Sequence, residues 1–311
     1  MILKRNFNPL KVIQYVKTEL MVSVLLSLSV FLLYSNNLLK IQLPFAIAAI
    51  LGSALAIFIA FRNNSSYSRW WEARTIWGSI INNSRIFARQ IIANADNAVA
   101  AGKISTDQAA QFKKDVIYRQ IAFAHALRIY LRKQQTHQEY QHLLNPGEFN
   151  AVIAKNNYPN ELLLTQGLQI KDGIRKEILG AFDNISLEPT LAGFNNFQGA
   201  CERIKNTPLL RQYDFFTRLF LYVFMLVLPF AIAADFDKLN ISYLMIPVSV
   251  LVSFVFATIG KVGEVNEDPF ENKITDIPMT AMCITIERDL KEMLGETELP
   301  AKAEPYKGFL Y

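Results

Sequence analysis

Three side chains in this sequence recur at every fourth position inside an apolar run. Ser53, Ile57 and Phe61 stand at i, i+4 and i+8 of the stretch 43–61, so a helix would present them as one stripe on a single face. Two of the three side chains carry no polar atom. Such a stripe can exclude water or pack against another helix, but it supplies no group for proton transfer or metal binding. Acid–base or metal chemistry would have to come from other residues.

Those other residues do not form a recognisable catalytic or metal-binding pattern. The sequence contains no nucleophile–base–acid set, no phosphate-binding glycine loop and no zinc signature. His137 and His142 are five positions apart in a Gln-rich stretch, which is poor metal geometry, and His125 among Ala and Phe is typical of a packed side chain. Cys201 and Cys283 are far apart and fit reduced core residues. We therefore expect no catalytic site, no metal and no cofactor; an enzyme is possible but unsupported.

The stripe belongs to a segment that is long enough to cross a bilayer. Only the small residues Gly52 and Ser53 interrupt the apolar run 43–61. The sequence turns polar directly after Phe61, and no Pro or Gly breaks it there, so we predict one helix that leaves the membrane and continues into water. Side chains suited to a headgroup boundary or a protein interface follow: Arg69, Trp70, Trp71, Glu72 and Arg74.

Three further apolar segments predict three more membrane helices. They lie at 20–34, 215–234 and 241–259. A secretory signal is the alternative for the first of them, but no small-x-small cleavage site follows it and a second apolar segment comes at once, so we expect an uncleaved membrane helix. Hydropathy then divides the chain into an N-terminal segment with two spans (1–61), a helical cytosolic region (62–214), two more spans (215–260) and a C-terminal cytosolic segment (261–311).

Composition and charge agree with a membrane section joined to a water-exposed helical section. The chain is 51% hydrophobic and 19% charged. Its net charge is +5, and its basic residues are scattered among acids, which excludes a nucleic-acid surface. Lys40 and Lys238 are the only basic residues on one side of the predicted spans, so the positive-inside rule places both termini in the cytoplasm. The basic residues close to the spans on the cytoplasmic side include Lys4, Lys11, Lys17, Arg62, Arg69, Arg203, Lys205, Arg211 and Lys261.

Three blocks of sequence resemble the bestrophin family, in particular its bacterial branch. The first is F-R-N-N-S-S-Y-S-R-W-W-E-A-R-x-x-W-G at 61–78, the second is C-E-R-I-K-N-T-P at 201–208, and the third is E-D-P-F at 267–270. They lie in the family's order and spread over nearly the whole chain. The residues that carry the resemblance are Arg69, Trp70, Glu72, Arg74, Glu202, Arg203, Asp268, Pro269 and Phe270.

The resemblance implies an all-α homopentameric ion channel in the bacterial inner membrane, in which the second membrane helix of each subunit lines a central pore. The family's apolar pore neck falls on Ser53, Ile57 and Phe61, although the family usually has a larger apolar residue at the first position. A second, cytosolic constriction, aligned through Glu188-Pro189, falls on Thr190, where an apolar residue is common. A membrane-anchored helical scaffold without conductance is the alternative function.

The resemblance also bears on calcium and on ion selectivity. Animal bestrophins follow the Asp-Pro-Phe block with an acidic cluster that helps to hold calcium, but here Lys273 stands where an acidic ligand belongs, Val265 stands where a glutamine is usual, and Asp276 is the one carboxylate in register. We therefore expect no calcium gating. Animal members pass anions, whereas a bacterial relative is known as a cation channel. The bacterial-type motifs predict a modest preference for monovalent cations.

Overall fold

A computed structural model describes residues 1–4, 6, 9–38 and 41–311 of the chain. These residues form two compact units. The membrane unit comprises residues 4–70 and 208–268 and holds the apolar segments; the polar unit comprises residues 1–3, 71–207 and 269–311. The sequence-based boundaries after 61, 214 and 260 follow hydropathy rather than contacts, and they remain predictions.

Helices account for the regular structure of the described ranges, in which only isolated β-bridges occur besides them, so the predicted all-α class is confirmed. In chain order they are α1 (Pro9–Tyr15), α2 (Lys17–Ser35), α3 (Phe45–Ala100), α4 (Thr106–Leu131), a 3-10 helix (His137–Leu143), α5 (Pro146–Ile153), α6 (Tyr158–Arg175), α7 (Asp183–Asn206), α8 (Arg211–Lys238), a second 3-10 helix (Ser242–Leu244), α9 (Met245–Asn266) and α10 (Met279–Met293).

Within the described ranges, four helical segments are long and apolar enough to cross a membrane, as predicted. They are α2, α3, the stretch Asp183–Lys238 that includes α8, and the stretch Ser242–Asn266 that includes α9. Lys40, one of the two basic residues on which the predicted topology depends, lies outside the described residues, as does Arg5. The assignment of both termini to the cytoplasm therefore stays a prediction.

The second apolar segment continues into the polar stretch after it as one helix, as predicted. α3 runs without a break for 56 residues, from Phe45 through the polar stretch after Phe61 to Ala100. No proline interrupts this sequence, so each backbone N–H keeps its acceptor one turn earlier. The division between the two units falls inside this helix, after Trp70.

The core of the membrane unit forms where α2, α8 and α9 pack against one another and against the inner face of α3. The Phe224 ring lies edge-on to Phe256, with their centroids 5.1 Å apart. A Cβ atom at Gly52 would lie 3.1 Å from the same Phe224 ring. The small residue that interrupts the apolar run therefore lets α8 approach α3 closely.

The polar unit has its own core around α4, which packs against α6 and α10. Trp77, Phe87 and Phe194 are fully buried there. His125, expected as a packed side chain, is buried, and its Nε2 lies 3.2 Å from the Glu287 carboxylate, which also accepts a hydrogen bond of 2.8 Å from Lys291. The helical region that follows the second span is thus a folded unit in its own right.

Candidate functional site

The stripe identified in the sequence lies on the outward face of α3. Ile57 is 56% exposed and Phe61 is 62% exposed, and Ser53 is exposed as well, whereas Leu55 and Ile59 on the other face are buried in the core of the membrane unit. Packing within the chain therefore does not account for the stripe. An apolar face of this kind on a membrane helix must contact lipid, contact another subunit or line a pore.

Ser53 differs from the other two members of the stripe because it is polar. Its hydroxyl donates a hydrogen bond of 2.8 Å to the carbonyl oxygen of Ala49, one turn earlier in the same helix. The donor is thus used within the helix, while the oxygen lone pairs stay available to water. Ser53 is therefore the one member of the stripe whose side chain can hydrogen-bond to water.

The side chain of Arg62, the first charged residue after the stripe, is buried inside the membrane unit. Arg62 is 3% exposed, and its Nη2 lies 2.6 Å from the Asp214 carboxylate and 3.4 Å from that of Glu267. Arg218, which is 56% exposed, also pairs with Asp214 at 3.0 Å. Because Arg62 is buried and neutralised by α8 and by the end of α9, it places no positive charge on the exposed stripe.

The next residue fixes α9 against α3. The Asn63 side-chain amide donates a hydrogen bond of 2.9 Å to the carbonyl oxygen of Ile259. A Cβ atom at Gly263 would stand 2.2 Å from the Asn63 Oδ1, well inside van der Waals contact. An alanine at position 263 would therefore displace the Asn63 side chain, which holds α9 to α3 through its hydrogen bond to Ile259.

The residues of the family-like blocks serve mainly to join elements. Arg69 donates through Nε to the backbone oxygen of Glu267 at 3.0 Å and lies 3.7 Å from the Asp268 carboxylate. Within the polar unit, Glu72 pairs with Arg203 at 2.6 Å, and Phe270 is buried. The Glu202 carboxylate accepts hydrogen bonds from the side-chain amides of Asn157 and Gln198. Arg74 and Trp70 are half-buried. Pro269 begins the last segment of the polar unit.

The acids around the Asp-Pro-Phe block are either paired with basic side chains or buried. Lys205 lies 2.6 Å from the Glu271 carboxylate, and this hydrogen bond and charge lower the pKa of Glu271 even though partial burial opposes it. Asp276 is buried and accepts a hydrogen bond of 3.1 Å from the backbone N–H of Lys273; burial is the stronger influence and raises its pKa. Among the described residues no group of three or more His, Cys, Asp or Glu could hold a metal ion.

Conductance is therefore expected to be independent of calcium over the micromolar range. A calcium ion needs six or more oxygen ligands, and around the Asp-Pro-Phe block the carboxylates are paired or buried and the Lys273 ammonium carries a like charge. A calcium titration of macroscopic current in planar bilayers measures this. Lys273→Asp, which adds a carboxylate, serves as the comparison. A steep calcium dependence of the unmodified protein would show that a site exists.

Thr190, predicted to form a second constriction, is largely buried on α7 in the polar unit. It is 9% exposed, and its hydroxyl donates a hydrogen bond of 3.2 Å to the Gln90 side chain. The apolar side chain that stands out on the same helix is Ile185, which is 71% exposed. Sequence reasoning missed Ile185; its one signal is an isolated aliphatic residue among polar neighbours in the first turns of α7.

Comparison with known proteins identifies the family of this chain. Residues 7–292 match the sequence profile of the bacterial/fungal bestrophin proteins. The chain is 33% identical over 299 residues to the "Voltage-dependent anion channel-forming protein YneE" of Escherichia coli (strain K12), covering 94% of this chain and 91% of that one. It is 29% identical over 255 residues to the "Voltage-dependent anion channel-forming protein RSc3414" of Ralstonia nicotianae, covering 82% and 79%.

A solved structure resembles the whole fold. The bacterial bestrophin homologue from Klebsiella pneumoniae, crystallised as a point mutant, superposes with a TM-score of 0.81 at 30% identity and covers 92% of this chain and 98% of that one. The profile match extends over both compact units and includes all four segments that are long and apolar enough to span a membrane among the described residues. The chain belongs to the bestrophin family of membrane proteins, in its bacterial and fungal branch.

Proposed function

We propose that this chain is one subunit of a passive ion channel for small monovalent ions. The exposed stripe of α3 is the observation that carries the proposal, because Ser53, Ile57 and Phe61 lie on one outward face of a membrane-spanning helix. The names of YneE and RSc3414 describe channel-forming proteins. No catalytic role enters the proposal, in keeping with the absence of a nucleophile–base–acid pattern in the sequence.

The channel would be a homopentamer in the bacterial inner membrane with both termini in the cytoplasm. Five copies of α3 would surround the pore, so that Ile57 and Phe61 form two apolar rings one turn apart, about 6 Å along the axis at about 1.5 Å of rise per residue. Stripping the hydration shell of an ion in such a ring is not compensated by the protein, so a narrow ring closes by dewetting without a plug. Lipid would cover the remaining apolar exterior.

Ion selectivity must come from outside the two apolar rings, since neither carries a charge. Arg62 is buried and paired with Asp214 and Glu267, so no positive ring follows the neck directly. We keep the modest preference for monovalent cations as our prediction. Anion conduction is the second candidate, and the names of YneE and RSc3414, which specify anions, favour it.

Flux from proteoliposomes tests the proposal, and the reversal potential decides between the two selectivities. Under a potassium chloride gradient, we expect the current of the purified protein to reverse nearer the potassium equilibrium potential than the chloride one. Reversal near the chloride potential would replace the cation preference by the anion candidate. Absence of flux at any voltage from an intact oligomer would favour the scaffold instead.

Ile185 is better placed than Thr190 for a second constriction, because only an exposed side chain can meet permeating ions. We expect Ile185→Ala to change the ratio of sodium to potassium permeability or the unitary conductance, while Thr190→Ala leaves both within error and lowers only thermal stability. Single-channel recording with bi-ionic solutions measures the first effect. If Thr190→Ala altered permeation and Ile185→Ala did not, the constriction would lie at Thr190 as the sequence predicts.

A further inference from the structure

A cavity of about 340 Å³ opens in the membrane unit where α2 and α8 end and α9 begins. It is lined by residues from three elements: Phe31 and Tyr34 of α2, Asp237 of α8, and Ser242 and Tyr243 of the 3-10 helix. Its volume is at the small end of the range for sites that bind small molecules. Among the described residues it lies at the opposite end of α8 from the Arg62 pair, so it is separate from that ion-pair cluster.

The cavity has few polar groups, and only some of them have hydrogen-bond or ion-pair partners. The Asp237 carboxylate accepts a hydrogen bond of 3.0 Å from the Ser242 hydroxyl. No lysine or arginine is paired with Asp237 among the described residues, whereas Asp235 nearby pairs with Lys238 at 3.4 Å. The Tyr34 hydroxyl oxygen is buried and has no hydrogen-bond partner in the part of the chain that the structure describes. A ligand with a positive charge and a hydrogen-bonding group would satisfy both atoms.

The aromatic side chains narrow the chemical class of that ligand. A cation near the face of a tyrosine or phenylalanine ring is attracted by the ring quadrupole, and methyl or methylene groups next to the charge pack on the same rings. Calcium or magnesium does not fit, because one carboxylate cannot replace the oxygen shell that these ions need. We propose that this cavity binds a small organic ammonium ion, with Asp237 as counter-ion and Phe31, Tyr34 and Tyr243 as its apolar walls.

The ammonium group can come from either of two sources. It can belong to a soluble amine that enters from water, or to the headgroup of a phosphatidylethanolamine lipid at the ends of the helices. The soluble amine and the lipid headgroup would each offer the cavity a positively charged ammonium group on a short carbon chain. The inference needs neither ion conduction nor a pentamer, so it stands or fails separately from the proposed channel.

Titration calorimetry with choline chloride, against sodium chloride as blank, tests the site on the full chain purified in a maltoside detergent. We expect saturable binding that Asp237→Asn weakens by about ten-fold or more, because it removes the counter-charge of the ammonium group. Asp235→Asn removes a carboxylate two residues away that pairs with Lys238 and does not line the cavity. It is expected to bind choline like the unmodified protein. Tyr243→Ala, at a side chain that is 61% exposed, removes one wall without opening the core and should also weaken binding.

Nanodiscs separate the two sources. If a lipid headgroup fills the site, choline will bind in phosphatidylglycerol discs and will be displaced in phosphatidylethanolamine discs; if the ligand is a soluble amine, the affinity will be equal in both. Either result supports the site. No saturable binding in detergent and in phosphatidylglycerol discs would overturn it. So would equal affinity of Asp237→Asn and the unmodified protein, or equal weakening by Asp235→Asn and Asp237→Asn.

Discussion

Channels that carry Ile57→Ala or Phe61→Ala are expected to pass more current than the unmodified protein. Both side chains stand on the exposed face of α3, and each would form one dry ring of the proposed pore. Truncation to a methyl group widens and wets the ring, which lowers the barrier to a hydrated ion. The gain is on the order of ten-fold for each ~1.4 kcal/mol removed from that barrier. Single-channel recording in planar bilayers measures it.

Ser53 provides the matched control for this experiment, since it lies one turn away on the same stripe and is polar. Ser53→Ala is expected to change the current little, and Ser53→Ile should add a third dry ring and lower the current. If the stripe instead packs against a neighbouring subunit, truncation would leave cavities that loosen the oligomer, at a cost of about 2–5 kcal/mol for a fully buried aliphatic or aromatic side chain, with no gain of current. An intact pentamer with unchanged or reduced current in Ile57→Ala would remove Ile57 from the pore.

Arg62→Ala is expected to destabilise the folded membrane unit severely. The substitution removes the guanidinium that lies 3.4 Å from the buried Glu267 carboxylate, and it leaves Asp214, which Arg62 contacts at 2.6 Å, with the exposed Arg218 as its remaining basic partner among the described residues. Removing one partner from a buried ion pair typically costs about 3–5 kcal/mol, because the remaining charge is buried without compensation. The temperature at which half of the purified protein is lost from its gel-filtration peak provides the measurement.

Arg218→Ala is the comparison for Arg62→Ala, because it removes a second arginine from the same Asp214 carboxylate. Arg218 is 56% exposed, so its ion pairs are screened by solvent, and its removal should cost no more than about 1 kcal/mol. We expect the loss temperature to fall far more for Arg62→Ala. Equal losses in the two variants would mean that burial does not strengthen the Arg62 pairs.

Local sequence rules were sufficient for the long helix and its exposed stripe. A bilayer-length apolar run, the absence of helix breakers after Phe61 and the spacing of Ser53, Ile57 and Phe61 each depend on neighbours within a few turns. The same rules placed His125 in a core, because every other residue from Ile121 to Leu127 is apolar. For these features, the chain carries the information within a single element.

Features that depend on distant parts of the chain could not be predicted in this way. Arg62 and Glu267 are 205 positions apart, and nothing near Arg62 in the sequence indicates that its side chain is buried rather than exposed beside Phe61. Thr190 was placed from the nearby Glu188-Pro189 pair, but its burial depends on how α7 packs against Gln90 of α3. The ammonium-binding cavity likewise exists only where three helix ends meet.

The close approach of Asn63 to Gly263 has a consequence for the interpretation of sequence variants. Even the methyl group of alanine at position 263 would collide with the Asn63 side chain and disturb the contact between α9 and α3 beside the turn that carries Phe61. A genetic screen that scores only growth or current would therefore recover Gly263 substitutions together with pore substitutions. Measuring the amount of folded protein together with the current separates the two classes. A misfit between helices reduces the amount of channel in the cell before it alters the conduction of any channel that remains.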